Sequence, residues 1–170
     1  MGCTGPDPAM EAALELRTRC LAAETVSFRT DIRADYITQF EEFSLECQVG
    51  RDGAAAFRVL EPEDIADIRG TVRGDEGTVG YDGTVLAYPL LADERLSPVS
   101  GPWVVMKAIR SGCILAAGQE GEKIHMTIDD SYADNALTVE LWLEEGAVTE
   151  AEIAWEGRRV LSMTFDGFSA

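Results

Sequence analysis

The stretch at residues 96–113, LSPVSGPWVVMKAIRSGC, constrains the fold more than any other part of the chain. Pro98 and Pro102 make its beginning stiff and rich in turns, because proline fixes its own φ and disfavours helix at the residue before it. Ser100 is then predicted to cap a helix with its hydroxyl group, and Gly112 is predicted to end that helix. The stretch therefore predicts a central helix.

This helix is apolar around most of its circumference, since Lys107 and Arg110 are its only charged residues. A helix of this kind has to be covered by other elements on most sides. Most of the remaining chain alternates apolar and polar residues, which is typical of antiparallel strands with one buried face. We therefore expect a mainly β protein of the α+β class: a curved antiparallel half-barrel sheet of about ten strands wrapped around the central helix.

An amphipathic helix is predicted at residues 8–23, before the strands begin. Beyond it the hydrophobic period changes to two residues. Glu41 and Glu42 are adjacent in one of the alternating runs, and this break in phase predicts a β-bulge. We expect residues 1–7 to form a flexible N-terminal tether and residues 8–170 to form a single domain.

The formal net charge of −17 argues against binding to nucleic acid, and against adsorption to anionic lipid headgroups, because both need patches of lysine and arginine. Catalytic signals are few. The single histidine, His125, lies on the polar side of an alternating strand, and no HExxH, GxSxG or CxxC motif is present. We therefore predict that the protein is not an enzyme, with no catalytic residue, no metal site and no cofactor.

The cysteines are relevant to the question of whether the protein works in an oxidising or a reducing compartment. Cys20 lies at the end of the first helix and Cys47 points inward on the second strand, so a disulfide between helix and sheet is geometrically plausible. Such a bond would suit an oxidising compartment. The alternative is a pair of buried free thiols that behave as small hydrophobic residues. Cys113 is predicted to be buried beside the central helix.

The first residues, MGCTGP, resemble the mature start of a bacterial lipoprotein, in which a small residue precedes a cysteine and a flexible tether follows. In that family the cysteine is diacylated and anchors the protein outside the cytoplasmic membrane. The resemblance implies lipidation at Cys3, an extracytoplasmic location and contact with the cell membrane through this N-terminal anchor only. The alternative is a disordered leader with an incidental cysteine.

The order of elements is similar to that of the LolA family of bacterial lipoprotein carriers: a helix, a long meander, a helix introduced by two prolines and a returning meander. The segment PEDIADIRGTVRGDEGTVGYDG, with RLSPVSGPWVVMKAIRSG after it, resembles the LolA-like lipoproteins of Gram-positive bacteria in particular. The resemblance covers about residues 10–168. It implies an unclosed half-barrel with helices across its concave face and an apolar cavity between them, where family members carry acyl chains or lipids.

The inward strand faces offer more apolar surface than two short helices can cover, so the remainder must be packed tightly or hold a ligand. We expect a surface-tethered protein whose partner is a hydrophobic small molecule, a lipid or a lipidated protein. The alternative is an interaction protein of the cell envelope or spore with a filled core. The residues expected to line the cavity are Trp103, Met106 and Ile109 on the central helix and Phe43, Phe57, Met126 and Leu141 on the sheet.

Overall fold

The computed structural model describes residue 5 and residues 7–74, 76–81, 84–89, 91–92, 95–131 and 136–170. Within these ranges it contains two α-helices, α1 (Pro8–Ala22) and α2 (Gly101–Ser111), and thirteen strands. The strands are β1 (Thr25–Asp35), β2 (Phe40–Gly50), β3 (Ala55–Glu61), β4 (Arg69–Arg73), β5 (Glu76–Tyr81), β6 (Thr84–Pro89), β7 (Leu91–Ala92), β8 (Arg95–Leu96), β9 (Cys113–Glu120), β10 (Lys123–Asp129), β11 (Leu137–Glu144), β12 (Ala147–Trp155) and β13 (Arg158–Ser169). Cys3, the predicted lipidation site, lies outside the described residues. Neither helix in the described ranges has the length and apolar character needed to span a lipid bilayer.

Eleven strands form one antiparallel sheet in the order β6-β5-β4-β3-β2-β1-β13-β12-β11-β10-β9. β1 pairs with β2 on one side and with β13 on the other, so the first and last strands meet in the middle of the sheet. The sheet is open, because its order ends at β6 on one edge and at β9 on the other. β7 and β8 form a separate two-stranded hairpin.

α2 belongs to the connection between the two edges of this sheet. The chain leaves one edge at β6 and returns at the other edge at β9, so the segment between them has to cross a face of the sheet. Eight of the eleven α2 residues are buried, and α2 contacts β2, β10 and β12. α1 packs against α2, β9 and β10. The predicted half-barrel, with a central helix and an N-terminal helix, is confirmed.

The strands bury alternate residues, as their sequence pattern predicts. In β1 the side chains of Val26, Phe28, Thr30, Ile32 and Ala34 are buried, while most of the residues between them face water. Because successive side chains of a strand point to opposite faces, one face of the sheet becomes apolar and the other polar. The apolar face, α2 and the buried side of α1 together form the hydrophobic core.

Each α-helix is bound at its C-terminal end by an arginine of the other helix. Arg17 of α1 donates from Nε to the carbonyl of Ile109 at 2.6 Å and from Nη2 to the carbonyl of Gly112 at 2.6 Å. Arg110 of α2 donates from Nε to the carbonyl of Cys20 at 3.1 Å. The last carbonyl groups of a helix have no partner within the helix, so these arginines satisfy acceptors that burial would otherwise leave costly.

The predicted cap at the beginning of α2 is wrong. The Ser100 hydroxyl makes no capping hydrogen bond, and its oxygen is buried without a partner among the described residues. A 3₁₀ turn at Pro98–Ser100 leads directly into α2, so Ser100 already has helical backbone angles (φ −84°, ψ −14°). A capping residue needs extended angles to aim its hydroxyl at the first turn, and Ser100 lacks them.

The predicted β-bulge at Glu41 and Glu42 is also wrong. β1 and β2 pair in unbroken register from Thr25 opposite Gly50 to Asp35 opposite Phe40. Glu41 therefore faces the same side as the core residues of β2, but it is exposed because it lies at the far end of the strand. A carboxylate can occupy this position without burial, so no bulge is needed to turn it outward.

Cys20 and Cys47 are both free thiols and both buried, so the structure contains the alternative to the predicted disulfide. Burial raises the pKa of Cys20 to about 11, partly offset by the positive charges of Arg110 and Arg19. Burial also raises the pKa of Cys47, with the charge of Glu46 adding to the effect. Both side chains belong to the core cluster, where they pack as small apolar groups.

Cys113 is exposed, so its predicted burial is wrong. It is the first residue of the edge strand β9 and pairs with Asp129 of β10. Its neighbour Ile114 packs against the core instead, opposite Ile128. Because adjacent residues of a strand face opposite sides, an inward Ile114 leaves Cys113 facing out.

Candidate functional site

Six of the seven predicted ligand-binding residues belong to the packed core, including Trp103 (7% exposed) and Met106 (1% exposed), and Phe43 packs against it. Ile109, Met126 and Leu141 are each at most 1% exposed. Ile109 lies on α2, and the other two lie on neighbouring strands of the sheet beneath it. The structure brings these three into one hydrophobic cluster, where they contribute to the interior of the molecule.

Phe43 and Phe57 border two wider clefts on the sheet, each of about 620 Å³. The cleft beside Phe43 also has charged walls of both signs, including Arg29 and Glu152. Phe57 itself is 5% exposed and packs closely over Gly70, where an added Cβ would come within 2.4 Å of its ring. These clefts therefore present mainly polar, outward-facing side chains to the solvent.

Trp103 and Met106 line a smaller cavity beside α2, of about 280 Å³, which we call the α2 pocket. One face of α2 forms its first wall, since residues three, four, seven and eight positions apart lie on the same side of a helix. The turns that follow β2 and β4 form the opposite wall. The residues that line the α2 pocket are Val49, Arg51, Asp52, Gly53, Arg73, Gly74, Trp103, Met106, Lys107, Arg110 and Ser111.

Glycines shape the two turns that close the α2 pocket. Gly53 (φ +85°) follows β2 and Gly74 (φ +62°) follows β4, and both have the left-handed backbone that favours glycine. These turns place Arg51, Asp52 and Arg73 opposite α2. The local sequence thus sets charged side chains around an apolar floor made by α2.

The lining of the α2 pocket has the opposite charge balance to the rest of the protein. Four lining residues are cationic, Arg51, Arg73, Lys107 and Arg110, and one is a carboxylate, Asp52. The whole chain has 14 lysines and arginines against 31 aspartates and glutamates. The pocket is therefore a local concentration of positive charge on a strongly acidic protein.

Two of these cations are held in ion pairs at the surface. Arg51 Nη1 lies 2.8 Å from Glu24 Oε1, and Arg73 Nη2 lies 2.7 Å from Asp52 Oδ2. The pKa of Asp52 is lowered, first by the hydrogen bond from the Ala54 N–H and then by the charge of Arg73. Asp52 thus stays ionised and holds Arg73 at the pocket rim.

Lys107 is bound more deeply. Its Nζ lies 2.9 Å from both carboxylate oxygens of Asp130, whose side chain is only 5% exposed. Burial raises the pKa of Asp130, and the Lys107 ammonium partly offsets this effect. The same ammonium lies 5.9 Å from the centre of the Trp103 ring, within the range of a cation–π contact.

Arg110 has a different environment. Its Nε and Nη1 donate to the carbonyls of Cys20 and Gly50, the latter at 2.7 Å. Its Nη2 is buried and has no hydrogen-bond partner among the residues that the structure describes. Among these described residues, no carboxylate lies within 4.0 Å of the Arg110 guanidinium. Arg110 is thus a fixed guanidinium with an unused donor.

A second polar cluster lies on the outer face of the sheet. The His125 and Trp142 rings stack with their centres 4.7 Å apart. His125 Nε2 lies 2.5 Å from Glu140 Oε2, and Trp142 Nε1 donates to Glu120 at 3.1 Å. The predicted placement of His125 on the polar face is confirmed. These contacts join side chains of the cluster to one another, and none of the four residues lines the α2 pocket.

Sequence reasoning did not identify the basic lining of the α2 pocket. Lys107 and Arg110 stand out in an apolar helix, and Arg51 begins an RDG turn, so the individual charges were visible. What brings them together is the position of two turns against one face of α2, which depends on the order of the strands. Pattern alone does not give that order.

No family model and no curated protein matches this sequence. Solved structures do resemble it. One is a LolA superfamily protein from Nitrosomonas europaea, with 10% sequence identity over 95% of this chain and 92% of that chain, and a TM-score of 0.52. Another is a domain described as an outer membrane lipoprotein-sorting protein, from Vibrio parahaemolyticus, with 7% identity over 95% of this chain and 91% of that chain, and a TM-score of 0.52.

At such low identity the likeness concerns the fold. The comparisons agree with the open eleven-stranded sheet and its two helices, and they confirm the predicted LolA-like fold.

Proposed function

We propose that this protein is an extracytoplasmic, membrane-tethered lipoprotein that binds an acyl chain, a lipid or a lipidated partner protein against the central helix α2. It would act by binding, without chemistry of its own. The observation that carries the proposal is the α2 pocket, in which Trp103 and Met106 lie at the wall of a cavity in a LolA-like half-barrel. That a protein of similar fold is described as a lipoprotein-sorting domain supports the same function.

The size of the α2 pocket limits how much of a ligand it can hold. Its volume of about 280 Å³ is near the lower end of the range of roughly 300–1,000 Å³ typical of ligand sites. Burying each methylene group of a chain contributes about 0.8 kcal/mol, and micromolar affinity corresponds to about 8 kcal/mol, so roughly ten methylene groups would have to be buried to reach it. An apolar wall discriminates poorly between chain lengths, so we expect weak and promiscuous binding.

The anchor is a separate part of the proposal. Residues 1–7 would form the tether, Cys3 would carry the lipid, and residues 8–170 would form the binding domain. A diacylglyceryl group supplies two acyl chains, which is enough for stable attachment to a membrane, whereas one chain gives only marginal binding. No contact with nucleic acid is proposed.

The experiment that tests binding is titration of a fluorescent fatty acid with a variant that fills the pocket. Ser111 lines the α2 pocket and is exposed, so Ser111→Phe should block the cavity without disturbing the core. Thr18→Phe is a matched control: each hydroxyl donates to a carbonyl four residues earlier in its helix at 2.9 Å, and Thr18 is also exposed, on α1. We expect saturable binding by the wild type, unchanged in Thr18→Phe and about tenfold weaker in Ser111→Phe.

A second candidate function is favoured by the packing of the core. Ile109, Met126 and Leu141 are at most 1% exposed, as expected of an interaction protein of the cell envelope or spore with a filled core. This alternative predicts no saturable fatty-acid binding by the wild type. That outcome would remove the carrier hypothesis and leave an outer face of the sheet as the functional surface.

A further inference from the structure

We infer that the α2 pocket binds the anionic headgroup of an amphiphile, a carboxylate or a phosphate, with the charge of Arg110 as the main attraction. This inference rests on the proposed function, because Trp103 and Met106 would hold the first part of the attached chain. It adds the chemical class of the ligand and the orientation in which it enters. The uncharged end of the ligand meets the apolar wall, and the charged end meets the cations at the rim.

The charge distribution is the first observation in favour. Four of the 14 lysines and arginines line this pocket, together with only one of the 31 aspartates and glutamates. A cleft lined mainly by one sign of charge attracts ligands of the opposite sign, even on a protein of opposite net charge. An anion is repelled by most of the surface, and among the described cavities the α2 pocket has the largest excess of cationic lining residues.

The guanidinium of Arg110 is the second observation. A buried donor without a partner is unfavourable, and a guanidinium stays charged at all physiological pH values. The hydrogen bonds from Nε and Nη1 to the carbonyls of Cys20 and Gly50 fix the plane of the group. Nη2 is enclosed by protein, so Arg110 acts on an anion in the pocket through its positive charge, which no carboxylate among the described residues neutralises within 4.0 Å.

The dipole of α2 does not prevent an anion from binding near Arg110. Arg110 lies in the last turn of α2, where the helix dipole is negative and disfavours an anion. The terminal carbonyls of Ile109 and Gly112, however, accept hydrogen bonds from Arg17. The guanidinium of Arg17 therefore offsets the negative end of the dipole.

The remaining cations are already positioned by carboxylates, of which Glu24 and Asp130 do not line the pocket. Arg51 pairs with Glu24, and Lys107 pairs with Asp130. Arg73 pairs with Asp52, which itself lines the pocket and sets a limit on how far an anion can approach that rim. These pairs hold the positive side chains in place without cancelling the field of Arg110.

The test compares anionic and neutral ligands of the same chain length by titration calorimetry at low ionic strength. The probes are laurate, its neutral glycerol ester monolaurin, and inorganic phosphate. The variants are Arg110→Gln and Arg73→Gln, the second chosen because Arg73 is 68% exposed and its loss leaves the core intact. Arg159→Gln is the matched control: Arg159 is also exposed and paired with a carboxylate, Glu152 at 2.9 Å, away from the pocket.

We expect laurate to bind more tightly than monolaurin to the wild type, with about a tenfold loss of laurate affinity in Arg110→Gln and a severalfold loss in Arg73→Gln. Monolaurin affinity should be unchanged in both, and Arg159→Gln should bind like the wild type. Laurate binding that is insensitive to Arg73→Gln, and equal to monolaurin binding, overturns the headgroup assignment while the proposed function stands. If neither laurate nor monolaurin binds, both the headgroup assignment and the proposed function are contradicted. Binding of phosphate in the absence of laurate binding overturns the assignment to a lipid.

Discussion

Arg17 and Arg110 are the residues through which α1 and α2 bind each other's C-terminal ends. Arg17 reaches the carbonyls of Ile109 and Gly112 at 2.6 Å, across more than 90 residues of sequence. No sequence pattern predicts this contact, since an arginine in an amphipathic helix is usually solvated. It is nevertheless what fixes the distance between the two helices at the end next to the α2 pocket.

Replacing Arg17 with methionine tests this contact. Arg17→Met keeps most of the aliphatic stem but leaves the last carbonyls of α2 without their charged donor. Hydrogen bonds from charged groups contribute about 1.5–3 kcal/mol, so we expect a loss of about 2 kcal/mol in the free energy of unfolding by urea. Arg159→Met, which removes an exposed pair with Glu152, should change it by less than about 1 kcal/mol. Equal effects of the two substitutions would contradict the capping role.

Lys107 and Asp130 give a prediction that depends on pH. The pKa of Asp130 is raised above its ordinary value of 3.8 by burial, so the folded protein binds the proton more tightly than the unfolded chain does. The stabilising contribution of the protonated group is fully present below that ordinary value and is lost as the pH rises through the folded pKa. Lys107 limits this loss, because its ammonium lowers the pKa of Asp130.

Lys107→Met should therefore destabilise the protein more at pH 7 than at pH 4. We expect a loss of about 2 kcal/mol at pH 7, because a buried carboxylate is left without its partner. Urea unfolding at both pH values measures the difference. Lys123→Met, which removes a more exposed pair with Glu150, should cost much less than Lys107→Met and show no such pH trend. A Lys107→Met effect independent of pH would contradict the account of Asp130.

At the scale of elements, Gly112 ends α2 for a reason other than the one its sequence suggests. The helix ends at Ser111, as predicted, but Gly112 has φ −67° and ψ 161°, which any residue can adopt. What requires glycine is space. A Cβ added there would lie 2.3 Å from Ile128 Cγ2 and 2.8 Å from the carbonyl oxygen of Ala108.

Gly112→Ala should thus be destabilising although its backbone angles are ordinary. Overpacking a tight contact costs about 1–3 kcal/mol, which thermal unfolding would show as a clear fall in Tm. Gly118→Ala is the control, because no atom lies within 4 Å of its added Cβ and its φ is not positive. We expect the control to change stability by no more than about 0.5 kcal/mol. A neutral Gly112→Ala would show that α2 and β10 can move apart at this point.

The elements themselves were largely predictable, because the two-residue period of strands such as β1 and β11 is regular. β9 was the exception. Its sequence CILAAGQE shows no clean alternation, and the register between β9 and β10 shifts at Thr127 and Ile128. A strand with such an irregularity buries residues out of phase, so its pattern does not indicate a strand. The wrong prediction of a bulge at Glu41 has a different cause. A carboxylate at the end of a strand can lie on the same face as the core residues without being buried.

At the scale of the whole molecule, the decisive feature is the pairing of β1 with β13. It joins the two meanders in the middle of the sheet and leaves β6 and β9 as edges, so that α2 has to cross between them. Sequence patterns predict the strands and the helix but not this long-range pairing, which follows from tertiary packing. The α2 pocket depends on it, which is why only Trp103 and Met106 of the seven predicted lining residues border the pocket and why its basic lining was not predicted.

The proposed anchor also concerns the whole molecule. If Cys3 is acylated, the full-length protein expressed in a bacterial host should partition with the membrane fraction. Cys3→Ser should release it into the soluble extracytoplasmic fraction, because both acyl chains are lost. Cys113→Ser, which removes the exposed cysteine of β9, is the control and should stay with the membrane. Soluble protein with Cys3 intact would rule the anchor out.

The central claim is that a lipid or acyl chain occupies the α2 pocket. Native mass spectrometry of gently purified wild-type protein, followed by extraction and identification of the bound molecules, tests it most directly. We predict adducts of lipid mass on the wild type, strongly reduced in Ser111→Phe and retained in Thr18→Phe. A wild-type protein that carries no lipid, and acquires none when incubated with fatty acid, would contradict the claim.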